Sequence, residues 1–185
     1  LHLIGSDSAP GSVQDIQVHD IDNDGDLDLV ASHSSSGTHG NRLVLYLNDG
    51  NNNPSLTLQV IETNANTDYH GLDVSDIDND GDLDIALGGT APGSPAEVGS
   101  YDWFENNGND ENGNPTFTSS NIFSYGEYKV IEDVVVSDMD SDGDSDILGL
   151  ARVNDLYHIS YFRNDCDGND PLIFDLDGDG IELLG

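Results

Sequence analysis

Nine residues, Asp-Ile-Asp-Asn-Asp-Gly-Asp-Leu-Asp, run from Asp20 to Asp28 and recur unchanged from Asp76 to Asp84. A third copy, Asp-Met-Asp-Ser-Asp-Gly-Asp-Ser-Asp, runs from Asp138 to Asp146. Five carboxylates at alternate positions converge on one point only if the backbone curls into a loop. The glycine at the sixth position (Gly25, Gly81, Gly143) permits that turn. Such a group does the chemistry of a hard divalent cation. Calcium takes about 6–8 oxygen ligands at about 2.3–2.6 Å, and D-x-D-x-D-G supplies side chains from positions 1, 3 and 5 and a backbone carbonyl from position 7. The first copy offers Asp20, Asp22, Asp24 and the carbonyl of Asp26. The second offers Asp76, Asp78, Asp80 and Asp82, and the third Asp138, Asp140, Asp142 and Asp144.

The closing ligand separates two kinds of loop. An EF-hand needs a bidentate Glu at position 12 between two helices, but here position 12 is Ala31, Leu87 or Gly149, none of which binds metal. Position 9, occupied by Asp28, Asp84 and Asp146, closes the cage instead, and the residues after it are strand-like. The competing reading, solvated acidic turns, does not account for a spacing kept three times with a central glycine. Magnesium keeps its waters and avoids all-protein carboxylate cages, and zinc prefers Cys and His. About three Ca²⁺ ions per chain are expected. A further D-x-D-x-D-G, at Asp175, Asp177 and Asp179, begins 11 residues after Asn164, whereas Asn48 and Asn106 precede the next motif by 28 and 32. It is a fourth candidate site out of register, and its alternative is an acidic turn before a final strand.

The elements that position these loops repeat with them. The motif starts at 20, 76 and 138, spacings of 56 and 62 residues. A short apolar strand (IQV, LDV, VVV) leads into each motif, and an apolar run comes after it. Then come a variable loop, an aromatic or apolar pair ending in Asn48, Asn106 or Asn164, and, after the first two, a Pro and a second alternating run. Helix signals are weak throughout, so each unit reads as several short strands. The fold class is all-β. Units of this size suit propeller blades of antiparallel strands. Three blades fall short of the about 4 to 8 that close a propeller, so an incomplete or intermolecularly completed propeller is expected, with a first unit that begins part-way through. The domain reading is a repeat domain over residues 1–170, with loops at 20–28, 76–84 and 138–146, and an acidic tail over 171–185.

These D-x-D-x-D-G-D-x-D loops, with the aromatic W-F-x-N hairpin at residues 103–106, resemble FG-GAP/VCBS-type repeats. Such repeats build integrin α-chain propellers and occur in secreted bacterial adhesins, lectins and accessory parts of polysaccharide-degrading enzymes. The resemblance spans roughly residues 4 to 170 and implies calcium ligation by positions 1, 3, 5, 7 and 9. The third loop departs only at Met139, Ser141 and Ser145, none a ligand position. The tail resembles a segment of large secreted RTX-type proteins, although the RTX nonapeptide is absent.

Composition bounds the rest. With 37 Asp+Glu against 4 Lys+Arg, the net charge of −33 over 185 residues repels nucleic acid and anionic membranes. No stretch approaches the about 18 apolar residues of a spanning helix, so no membrane insertion is expected. Cys166, the single cysteine, excludes an internal disulfide. The opening Leu-His-Leu-Ile-Gly, without Met or a charged-then-apolar leader, reads as that of a processed chain or an excised fragment. Extracellular calcium modules bind at about 10⁻⁴–10⁻³ M, which places the expected location outside the cell, secreted or at its surface. No pair of acids outside the loops and no Ser-His-Asp order marks a catalytic centre, so the chain reads as non-catalytic. Trp103 aligns with Leu45 and Tyr161, which places it in blade packing rather than on a sugar ring. The expected role is adhesion or binding of a protein or glycan ligand, with specificity in the insertions at 88–101 and 106–115. Two alternatives are a self-assembling structural subunit joined through open blade edges, and the non-catalytic carbohydrate-binding part of a secreted polysaccharide-degrading enzyme.

Overall fold

The alternating apolar runs form strands because residues two apart share a face, and the facing sides of consecutive sheets pack together. The computed structural model describes residues 12–34, 41–64, 67–91, 98–127, 129–153, 156–164, 174–176 and 181–182. The first sheet holds β1 (Ser12–His19), β2 (Asp28–Ser34), β3 (Asn41–Asn48) and β4 (Leu56–Asn64), paired in that order. The second holds β5 (Asp68–Ser75), β6 (Asp84–Ala91), β7 (Val98–Asn109) and β8 (Pro115–Glu127), again in order. The third pairs β9 (Lys129–Ser137), β10 (Asp146–Val153), β11 (Leu156–Asn164) and β12 (Phe174–Leu176), and β13 (Ile181–Glu182) also pairs with β11. All pairings are antiparallel. This is an all-β architecture of successive meander sheets, consistent with incomplete propeller blades, and the described residues form no closed barrel.

Two details differ from the expectation. The short strand before each motif pairs with the strand after it, so a sheet opens with that strand and residues 12–64 already contain one whole four-stranded sheet. The tail also takes part in the third sheet: β12 pairs Phe174 with Asn164, Asp175 with Arg163 and Leu176 with Phe162, and β13 pairs Ile181 with Ile159. Pro171 thus precedes a fourth strand as Pro54 precedes β4, with Pro115 opening β8. Asp175 lies in that strand, whereas Asp177, Asp179 and Cys166 lie outside the described residues.

The core lies between the sheets. Ile21, Val30, Leu43, Leu45, Leu72, Ile85, Leu87 and Phe104 fill the space between the first and second. Ile77, Ala86, Tyr101, Trp103, Ile131, Val134, Ile147 and Phe162 fill the space between the second and third. Strand β6 shows the logic, since Ile85 and Leu87 face one neighbour and Ala86 the other. Trp103 is buried in this packing, as its place in the repeat implied. Tyr101 packs edge-on to Phe162, with ring centroids 5.5 Å apart. A Cβ at Gly149 would lie 2.2 Å from the Tyr101 ring, so that position is bare because the ring occupies its space.

Candidate metal centre

Each acidic motif is the connection between the first and second strands of a sheet, and the geometry of the three copies is the same. Position 4 adopts a left-handed backbone in all of them (Asn23 φ 57°, Asn79 φ 61°, Ser141 φ 66°), as does the glycine at position 6 (Gly25 φ 96°, Gly81 φ 99°, Gly143 φ 104°). Asn and Gly tolerate this region better than most residues, and both dihedrals are what curl the loop. The amide of that glycine donates to the carboxylate at position 1: Gly25 to Asp20 at 3.0 Å, Gly81 to Asp76 at 3.1 Å, Gly143 to Asp138 at 3.2 Å.

The buried end of each loop is held by position 9. Asp28, Asp84 and Asp146 are essentially inaccessible to solvent, and each accepts two backbone amides. Asp84 accepts Ile77 N–H at 3.0 Å and Asn106 N–H at 2.8 Å. Asp28 accepts those of Ile21 and Asn48, and Asp146 those of Met139 and Asn164. One carboxylate therefore ties the start of the loop to the aromatic hairpin of the same sheet.

The fold brings positions 1, 3 and 9 together. In Asp20–Asp22–Asp28, Asp76–Asp78–Asp84 and Asp138–Asp140–Asp146, one carboxylate oxygen of each residue lies within 4.8 Å of the others. Position 5 stays outside these groups. Asp24, Asp80 and Asp142 instead accept the amide two residues on, at 2.9, 2.9 and 3.0 Å. The side chain at position 7, expected to offer only its backbone carbonyl, has a separate role. Asp82 accepts the Asn23 amide of the preceding loop at 2.8 Å, and Asp144 accepts that of Asn79 at 2.7 Å.

Three carboxylates this close suit a cation and repel one another without one, by roughly 1–4 kcal/mol per pair in surface-like dielectric. The carboxyl acidities carry the same sign. Burial, then the carboxylate of Asp28, pushes Asp22 up to about 6. Burial pushes Asp84 up to about 7 despite its two amide donors, with Asp78 adding to the rise. Asp28, Asp78 and Asp140 are also raised, each chiefly by desolvation. In the middle loop, Oδ1 of Asp76 is buried and has no hydrogen-bond partner among the described residues. An orphaned carboxylate oxygen beside two more carboxylates fits an oxygen-seeking ion such as calcium, and the absence of Cys and His from all three groups argues against zinc.

The asparagines at the hairpin ends form a second set of functional residues, noted in the sequence by position only. Asn106 Nδ2 donates to the Leu83 carbonyl of its own loop at 3.2 Å and to the Ile21 carbonyl of the preceding loop at 3.3 Å. Asn164 does the same with Ser145 at 3.2 Å and Ile77 at 2.8 Å. They link adjacent loops, and their recurrence at one place per repeat was the signal that could have found them.

The chain is thus a β-repeat protein of successive antiparallel sheets, each with an aspartate loop that could hold a metal ion. Residues 20–87, which contain the first two loops and reach into β6, match the family model described as FG-GAP-like repeat. The third loop repeats the motif beyond the matched segment. No curated protein and no solved structure matches the chain.

Proposed function

We propose that this chain is a secreted calcium-binding repeat module in which calcium is structural and the loops between strands present a surface for adhesion or for a protein or glycan ligand. The observation that carries the reading is the triple recurrence of one carboxylate group, with positions 1, 3 and 9 gathered within 4.8 Å in each loop. The FG-GAP-like match over residues 20–87 supports it. Calcium would be held by Asp20, Asp22 and Asp28, by Asp76, Asp78 and Asp84, and by Asp138, Asp140 and Asp146, and would supply the charge these groups lack. An extracellular location fits the millimolar affinity range of such modules. Equilibrium dialysis with radioactive calcium tests the metal. Three ions per chain are expected, with magnesium competing poorly, and fewer than one ion per chain at millimolar calcium would overturn the reading. Glycan-array and cell-surface binding of the calcium-loaded chain test the ligand.

A further inference from the structure

The contacts between consecutive sheets obey one rule, and the two outermost faces of the molecule present its two halves. The residues four and two places before a motif turn toward the preceding sheet. Leu72 and Val74 are 1% and 7% exposed, Val134 is 2% exposed, and Val136 packs on the same core. Their counterparts on β1, Ile16 and Val18, are 52% and 49% exposed. Leu83, at position 8, packs against the core that the second sheet shares with the first, whereas its counterpart Leu27 is 62% exposed. Position 2 turns the other way, toward the next sheet along the chain. Ile21 and Ile77 are buried, whereas Met139 is 54% exposed, and on β9 Val135, which alternates with the inward-facing Val134 and Val136, is 48% exposed.

The polar half of the rule has the same two ends. Asn106 and Asn164 reach back to the position 2 carbonyls of Ile21 and Ile77, and Asn109 Nδ2 reaches the position 3 carbonyl of Asp22 at 2.7 Å. The residues at these places in the first sheet are Asn48 and Asn51. Among the described residues, the Asn48 side-chain amide donates to Leu27 O alone, and Asn48 is only part-buried. The carbonyls that would receive such amides in the third sheet are those of Met139 and Asp140.

We infer that a second copy of this chain docks head to tail, its first sheet covering the third sheet of its neighbour. The occupant is specified because the matching surface exists in the chain itself: Ile16, Val18 and Leu27 meet Val135 and Met139 as Leu72, Val74 and Leu83 meet the trailing face of the first sheet. Asn48 and Asn51 donate to the carbonyls of Met139 and Asp140. Ser141, shorter than the Asn of the other two loops, forgoes the link to position 7, here Asp26. The contact is heterologous, so copies add into a ring or a filament. Each copy carries a charge of −33, so docking strengthens with ionic strength as the repulsion is screened.

Light scattering of the calcium-loaded chain at physiological salt, across a concentration series, tests this. Masses at multiples of 19.8 kDa are expected. The variants I16Q/V18Q and V135Q/M139Q alter solvent-facing side chains, and each should weaken association at least about tenfold while keeping its circular dichroism spectrum and its calcium stoichiometry. Mixed together, they should recover a two-chain species and stop there, because each retains one intact face. A constant 19.8 kDa species overturns the inference, as does assembly that survives either double substitution or a mixture that yields no pairing. Calcium stoichiometry is read separately, so a failure of docking is distinguishable from a failure of the metal reading.

Discussion

The middle and third loops, at 76–84 and 138–146, have the same backbone and different surroundings. Their left-handed residues at position 4 differ by only 5° in φ (61° and 66°), and their glycines are at 99° and 104°. In both, the buried Asp at position 9 accepts two backbone amides. The middle loop, however, has a sheet on each side. Ile77 is covered by the third sheet, Asn79 is bonded to Asp144, and burial drives Asp84 up to about 7. The third loop has Met139 and Asp140 in solvent. The cage is therefore a local product of Gly, Asn and alternate Asp. Part of the charge tension in it comes from the neighbouring sheets, which exclude water from one loop more than from the other.

Removing the proposed calcium should break the comparison outright, because all three loops would lose the charge that offsets their carboxylates. At a hundredfold excess of calcium over Kd, mass action stabilises the folded state by about 2.7 kcal/mol per site. Three sites sum to about 8 kcal/mol, and at about 2–4 °C per kcal/mol chelation should lower Tm by about 15–30 °C. Differential scanning calorimetry with calcium and with EDTA checks this, and superimposable melts would refute it. Next in size, Asp84→Ala leaves the amides of Ile77 and Asn106 buried without an acceptor, at about 1–3 kcal/mol each. Chemical denaturation should therefore register a loss of about 2–6 kcal/mol, larger in calcium than in chelator because a ligand is lost as well.

A smaller contrast sharpens the role of the hairpin asparagines. Asn106→Ala removes a bond to its own loop, a bond to the preceding sheet and the acceptor of the Gly108 amide and should cost about 1–3 kcal/mol, whereas Asn48→Ala, which loses only a part-exposed bond to its own loop and the acceptor of the Gly50 amide, should cost under about 1 kcal/mol. Equal losses in urea titrations would mean that the link between sheets contributes nothing. The gentlest test is pH. Asp84 and Asp22, raised from 3.8 to about 7 and about 6, make the folded, calcium-free chain bind more protons than the unfolded chain between about pH 4 and 7. Stability in chelator is thus greatest at the acidic end of that window and is lost as pH rises through it. In calcium the trend reverses, because protons compete with the ion and affinity falls as pH drops. Melting curves from pH 5 to 8 should slope in opposite directions, and Asp84→Asn should flatten the slope in chelator.

Much of this was legible in the residues. Asp20, Asp22 and Asp28 and their repeats were marked by spacing alone, since side chains two apart on a curled backbone have few ways to point. Strand content was legible from alternation, and the burial of Trp103 from its place in the repeat. The boundary of the unit was not. Whether the strand before a motif belongs to the sheet behind it or the sheet ahead depends on pairing across the loop, and His19 against Asp28 is a contact no local pattern encodes. The place of the tail was hidden in the same way: Asp175, in a D-x-D-x-D-G string, lies in a strand paired with β11 opposite Arg163, and that pairing is encoded by no local pattern.

The sequence by itself determined the repeat, the strands and the curl of each acidic loop, because these depend on turn chemistry and side-chain alternation within about ten residues of chain. Tertiary structure alone decided which faces of the sheets share a core. It also decided that Asn23 and Asn79 reach across to Asp82 and Asp144, and that one loop is drier than another. Those outcomes depend on sheets packed face to face, where desolvation and hydrogen bonding are set by residues more than fifty positions away.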